Sequence, residues 1–297
     1  MASPLLEPLR RLVRATRRRA RRGRLWVARA RLDYRDWRAG EGDPLIPPRR
    51  MGLPSHVPAL GERLVRALAD PGGLAPEGDV LDIGCGPGRV AAPLTRYLSS
   101  EGSYEGFDVV PKSVRWCRRR IHGRYPNFNF QLADLHNRQY NPGGAVAAEE
   151  YRFPYPDGSF DAALAASLFT HLQPFESEHY LREAARVLRP RGRLLSSWFL
   201  LNQESEALIA AGKARRPGMF DSEPLRLEHE LDDGRGNRYR ANQRDVPEHQ
   251  MAIYERDVRA WHEAAGMQVV EIRYGAWAGR EPGPEELGQD LVVAELV

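Results

Sequence analysis

Apolar positions recur along most of the chain at two spacings, and turn signals mark where one spacing gives way to the other. Leu60, Leu64, Val65 and Leu68 stand at helical intervals, and Asp70-Pro71-Gly72-Gly73 closes that segment. Asp79 to Ile83 is short and apolar, the signature of a buried strand, and a helix over about Arg89 to Leu98 follows it. Tyr104-Glu105-Gly106-Phe107 leads into Asp108 as a second strand, and Lys112 to Arg120 reads as a helix with Val114 and Cys117 inward. Asn127 to Ala133 alternates as a third strand, Ala162 to Ala166 makes a fourth, and Leu194 to Leu200 a fifth. Ser177 to Leu188 is the helix between the last two, burying Tyr180, Leu181, Ala184, Ala185 and Leu188. Tyr254 to Ala264 predicts a final helix, and Met267 to Tyr274 with Gln289 to Leu296 a closing hairpin whose last strand runs antiparallel. Strands alternating with helices predict an α/β domain built on a parallel sheet.

Elsewhere the pattern fails. Residues 1–40 form an arginine-rich arm in which Leu5, Leu9, Leu12, Val13 and Thr16 fall near one helical face. Residues 41–58 hold Pro44, Pro47, Pro48, Pro54 and Pro58 and read as a linker, because proline cannot continue a helix. The folded domain is expected over 59–297, with polar, turn-rich insertions at about 136–152 and 201–251. Loops at the strand C-terminal edge of such a sheet are where ligands bind, so both insertions are expected on the substrate side.

Charge adds an asymmetry. Residues 1–40 carry thirteen arginines against Glu7, Asp33 and Asp36, a balance of +10, so in a chain of net charge +4 the remainder carries −6. Three readings of the arm stand side by side: a solvated tail, contact of residues 1–30 with an anionic membrane surface, and non-specific nucleic-acid contact, the last disfavoured. No run approaches the roughly 20 apolar residues of a membrane span, and the N-terminus lacks the apolar stretch of a secretory signal. With only Cys85 and Cys117 there is no disulfide framework, which points to a reduced, cytoplasmic setting, peripheral to the membrane if the arm docks there.

The chemistry gathers at Val80-Leu81-Asp82-Ile83-Gly84-Cys85-Gly86-Pro87-Gly88-Arg89-Val90, a strand, a glycine turn and a helix start. Glycines there let backbone approach a ligand without a Cβ in the way. A dinucleotide fingerprint, G-x-G-x-x-G, needs a third glycine at position 89, which is Arg89. The observed G-x-G-x-G, preceded by Asp82, resembles the first motif of the class I S-adenosylmethionine-dependent methyltransferases. Further matches are Asp108 twenty residues beyond Gly88, Phe153 to Asp161 entering strand four, and Leu188-x-Pro190-x-Gly192 before strand five.

The resemblance spans about residues 60–297. It implies a Rossmann-like, seven-stranded, mostly parallel sheet with an antiparallel last strand and helices on both faces. It implies S-adenosylmethionine as cofactor, with Asp82, Gly84, Cys85, Gly86 and Gly88 at its methionine and ribose portion. Asp108 would take the ribose hydroxyls, Asp134 with Leu135 the adenine, and Ser167 would lie beside the methyl group. The subgroup it most resembles, on Phe169-Thr170-His171-Leu172, Phe199 to Asn202 and Gly275-x-Trp277-x-Gly279-Arg280, suggests methyl transfer to a hydroxyl oxygen of a small-molecule, sugar or lipid-linked acceptor.

His171, following strand four, is the residue best suited to act as a base there, since imidazole titrates near neutrality; a purely structural histidine is the alternative. Trp261, Tyr274 and Trp277 either line an acceptor pocket or belong to the core. The other histidines show no ligand spacing, so no metal is expected. Two rival functions remain: a nicotinamide-dependent oxidoreductase on a similar sheet, disfavoured by Arg89, and a catalytically silent scaffold that binds through its arm.

Overall fold

A computed structural model describes residues 58–215, 224–283 and 287–297, together with 27, 29–31, 33, 34, 38 and 43–48. The chain divides into two compact units, Met1–His56 and Val57–Val297. In the first, the described positions from 27 to 38 are helical, and the Leu45 amide donates to the Asp43 carboxylate at 2.8 Å. Most of the arginine-rich arm and much of the linker lie outside the described residues.

The second unit opens with α1 (Pro58–Ala69) and then alternates strand and helix. In order come β1 (Asp79–Ile83), α2 (Ala91–Leu94), β2 (Ser103–Asp108), α3 (Pro111–Cys117, continued by a wider π turn over Arg118–His122) and β3 (Phe128–Leu132). After the first insertion follow β4 (Phe160–Ala165), a short 3₁₀ turn (Phe169–His171), α4 (Pro174–Val187) and β5 (Leu188–Trp198). The domain closes with α6 (Glu255–Ala264), β10 (Met267–Arg273) and β11 (Asp290–Leu296), after the elements of the second insertion.

Seven strands pair in the order β10-β11-β5-β4-β1-β2-β3. β3, β2, β1, β4 and β5 are mutually parallel, and β11 runs antiparallel to both β5 and β10. This is the seven-stranded, Rossmann-like sheet with an antiparallel last strand. Ala162 to Ala165 and Val80 to Ile83 are almost wholly buried, which explains why these strands read as apolar runs instead of alternating. The order reverses at β1, which lies between β2 and β4, and the C-terminal ends of strands flanking such a switch point form the ligand crevice.

The second insertion holds more structure than its sequence predicts. β6 (Leu200–Leu201), α5 (Gln203–Ala210), β7 (His229–Asp232), β8 (Arg238–Ala241) and β9 (Met251–Tyr254) fall within or beside it. The four strands pair as a separate sheet, β6-β9-β8-β7. Tyr239, Ala241, Met251 and Ile253 join the main core, whereas Leu201, Ala252 and Phe199 pack with Leu225, Leu227 and Trp277 in a second one. Trp277, 1% exposed, donates its indole N–H to Asp290 at 2.7 Å, and Trp261 is buried in the main core, so both are structural. Tyr274 is spent on Glu255, 2.9 Å from its hydroxyl. Among the described residues no helix is long and apolar enough to cross a membrane.

Candidate functional site

The site begins where β1 ends. Gly84, Gly86 and Gly88 have φ of 78°, 54° and 87°, left-handed values that cost an L-residue roughly 1–2 kcal/mol each. Their surroundings differ. A Cβ on Gly84 would lie 3.1 Å from Leu168, and one on Gly88 would strike Ile121 at 2.7 Å and Cys117 at 3.1 Å. One on Gly86 would meet nothing within 4 Å. Gly88 is therefore needed for packing against α3, and Gly86 is the point at which bare backbone opens onto space.

The turn is pinned to β2. The amides of Gly84 and Cys85 both donate to the Phe107 carbonyl at 3.0 Å, and the Gly86 amide donates to Asp108 Oδ2 at 2.8 Å. Asp108 Oδ1 accepts from the Val110 amide at 2.7 Å. Backbone amides thus tie both carboxylate oxygens, and the acceptor capacity the carboxylate keeps beyond them suits a hydroxyl-bearing ligand. Burial raises the Asp108 pKa, and the amides of Val110, Gly86 and Val109 work against that rise.

Asp82 lies under the turn. It is 2% exposed and its Oδ2 accepts from the Tyr104 hydroxyl at 2.7 Å. Burial pushes it up to about 7; the Tyr104 bond and the Arg89 charge lower it, and Asp108 adds repulsion. Cys85 is buried with its thiol pushed up by desolvation and by Asp108, so it contributes to the turn through its backbone. Arg89, where a dinucleotide fold would have glycine, has its pKa lowered by burial while the charges of Asp82 and Tyr140 favour its charged form.

At the end of β4, Ser167 adopts φ 60°, a strained value for a residue with a side chain. Its amide donates to Ser197 Oγ at 2.6 Å and its hydroxyl to Gln289 Oε1 at 2.9 Å; Ser197 also donates to Gln289, at 2.7 Å. These bonds hold the strained loop at the crevice. Beyond β3, Asp134 is exposed and its carbonyl accepts from the Val146 amide, whereas the Leu135 side chain is buried in the core. Asp161, from the motif entering β4, sits at that strand's opposite end, accepting from the Asp79 amide at 2.8 Å and pairing with Arg189 at 2.6 Å.

His171 faces two partners. Its Nδ1 lies 2.8 Å from the Glu248 carbonyl, which can only accept, so Nδ1 carries the proton. Nε2 is then the acceptor, and the Tyr140 hydroxyl lies 3.2 Å from it. Burial lowers His171 to about 4; the Glu248 carbonyl opposes that shift, and His249 lowers it further by its charge while its backbone raises it. Tyr140 is 45% exposed yet close enough to Asp108 and Arg89 to feel both charges. Sequence reasoning marked this loop by its turn residues but missed Tyr140, because turn signals locate a loop without saying which side chain turns inward.

Residues 80–192 match the family described as "Methyltransferase domain". The match spans the glycine turn and β1 to β4, and it supports the resemblance to the class I S-adenosylmethionine-dependent methyltransferases. The domain is similar to methyltransferase GfsG of Streptomyces halstedii, 32% identical over 146 residues that cover 48% of this chain and 46% of that protein. It is similar to the 27-O-demethylrifamycin SV methyltransferase of Amycolatopsis mediterranei, 32% identical over 143 residues, 47% of this chain and 45% of that protein. The chain therefore spans less than half the length of these relatives. Among solved structures, the putative methyltransferase complexed with the Haloferax volcanii Trm112 activator shares the fold, with TM-score 0.50 and 16% identity over 80% of this chain and 90% of that one.

The residues present fit S-adenosylmethionine, the cofactor that the resemblance implies. The open face of Gly86 admits a ligand against bare backbone, and the Asp108 carboxylate beside it offers an acceptor for ribose hydroxyls.

Proposed function

We propose that the chain is a methyltransferase that moves the methyl group of S-adenosylmethionine to a hydroxyl oxygen of a small molecule. The observation that carries this reading is the Gly86–Asp108 pair, an open backbone position tied to a carboxylate with spare acceptors at the switch point of the sheet. The cofactor supplies a methyl carbon already activated by positively charged sulfur. Gly84 and Gly86 would admit its methionine and ribose portion while Gly88 lets the turn pack against α3, Asp108 would hold the ribose, and Asp134 and Leu135 would border the adenine. Ser167, fixed by Ser197 and Gln289, would border the methyl group.

The chain's main task in such a transfer is to hold acceptor and methyl carbon in line, an effect worth up to about 7–11 kcal/mol. Removing a proton matters only when the acceptor releases it reluctantly, as an alcohol does. The relative named for a rifamycin substrate supports a small-molecule hydroxyl, and a sugar hydroxyl presents the same chemistry.

Radiolabelled methyl transfer, assayed across macrolactone alcohols, hydroquinones and sugar conjugates, tests the proposal. Label is expected in an ether-linked, alkali-stable product. Label confined to nitrogen or carbon, or no transfer with bound cofactor, would overturn it.

A further inference from the structure

Tyr140 lies against His171 and within reach of the Asp108 and Arg89 charges, on a loop built to hold it. The Asn137 amide donates to the Asn141 carbonyl at 3.1 Å, and the Asn141 amide to the Asn137 carbonyl at 2.9 Å. Asn137 Oδ1 accepts from the amides of Gln139 and Tyr140, both at 3.0 Å, and its Nδ2 donates to the His171 carbonyl at 3.0 Å. Across from it, the 247–249 turn is fastened by Glu248, whose Oε1 accepts from Gln173 at 3.2 Å and lies 3.4 Å from Arg138. The Glu248 carbonyl then fixes the His171 tautomer.

This sets the direction of the Tyr140 bond. With Nδ1 protonated, His171 Nε2 offers only a lone pair, so the Tyr140 hydroxyl donates and its oxygen lone pairs remain for another donor. Desolvation and the Asp108 charge push Tyr140 up to about 12, which keeps the phenol protonated at neutral pH.

We propose that the Tyr140 hydroxyl is a catalytic residue that accepts the proton of the acceptor's hydroxyl, with His171 as its positioning residue and proton sink. The proposal rests on the methyltransferase reading above. As the acceptor oxygen bonds the methyl carbon, the carbon–sulfur electron pair stays on sulfur. The acceptor's proton passes to Tyr140 Oη, and Tyr140's own proton passes to His171 Nε2, where the Glu248 carbonyl supports the imidazolium until water takes the proton. The groups facing this pair are Asp108 and Arg89 at Tyr140, and Glu248 and His249 at His171. The acceptor class follows: a group that donates a hydrogen bond, in preference to one without a proton.

The test uses the full chain, with a macrolactone alcohol and a hydroquinone as probes and histidine-labelled protein for ¹⁵N spectra. Parent spectra are expected to show His171 neutral and protonated on Nδ1 at pH 7, and Tyr140→Phe to shift its Nε2 resonance and raise its titration midpoint. Tyr140→Phe is expected to lower kcat on the order of 10²-fold, with S-adenosylmethionine affinity and thermal midpoint little changed. His171→Ala should cost a similar factor, and the double variant no more than either single one. An Nε2 resonance unmoved by Tyr140→Phe, undiminished kcat, or multiplying losses in the double variant would overturn the relay. A parent that binds S-adenosylmethionine but methylates neither probe overturns the assigned acceptor class. A parent that does not bind it overturns the methyltransferase reading itself.

Discussion

The Gly86 amide donates to the Asp108 carboxylate at 2.8 Å, joining two residues 22 positions apart at the ends of neighbouring strands. The bond shapes the turn and at the same time orients the acid. Asp108→Ala removes a charge-assisted bond and the proposed ribose acceptors together. Since bonds to charged groups are worth about 1.5–3 kcal/mol, S-adenosylmethionine affinity measured by calorimetry is expected to fall by roughly 10- to 100-fold. An unchanged affinity would place the ribose elsewhere.

The glycines separate stability from binding. Gly88→Ala adds a Cβ 2.7 Å from Ile121 at a left-handed φ, so denaturant unfolding should show a loss of about 2–4 kcal/mol. Gly86→Ala carries the backbone penalty alone, about 1–2 kcal/mol, but its methyl enters the open face. It should abolish measurable cofactor binding in a chain that still melts cooperatively.

Asp82 gives a pH prediction. Its folded pKa of about 7 is raised above the ordinary 3.8, so its contribution to stability is full below about pH 4 and is lost as pH rises through 7. Asp82→Asn keeps an acceptor for Tyr104 without the buried charge. Urea unfolding at pH 6 and pH 8 should show a smaller decline in the variant than in the parent. An equal decline would mean that Asp82 does not titrate in this window.

Asp290 is the clearest structural acid. Fully buried, it accepts from the amides of Leu200 and Gly275, both at 2.8 Å, and from the Trp277 indole. Asp290→Asn turns one acceptor into a donor among donors. It should cost at least about 2 kcal/mol at pH 7, seen in denaturant unfolding along with a changed near-ultraviolet signal from Trp277.

What the sequence makes legible is the part that one periodicity or one turn controls. Asp79 to Ile83 is a strand with the expected bounds, and Gly84, Gly86 and Gly88 adopt the left-handed angles that their spacing demands. The β6-β9-β8-β7 sheet escapes the sequence because its strands are two to four residues long and the outward positions of β7 and β8 are charged. Arg238-Tyr239-Arg240-Ala241 does alternate, but over a length at which helix and strand are hard to tell apart. The Ser167 strain is held by Ser197 and Gln289, distant in sequence, and the Tyr140–His171 pair depends likewise on the carbonyl of Glu248. Trp277 takes the core alternative of its two readings: an aromatic in a suggestive motif whose N–H is satisfied by a core carboxylate.

The most direct measurement is calorimetric titration of the full chain with S-adenosylmethionine and, separately, with NAD. One S-adenosylmethionine per chain is expected to bind, with no heat from NAD and with binding lost in Gly86→Ala. Saturable binding of NAD with no response to S-adenosylmethionine would contradict the account.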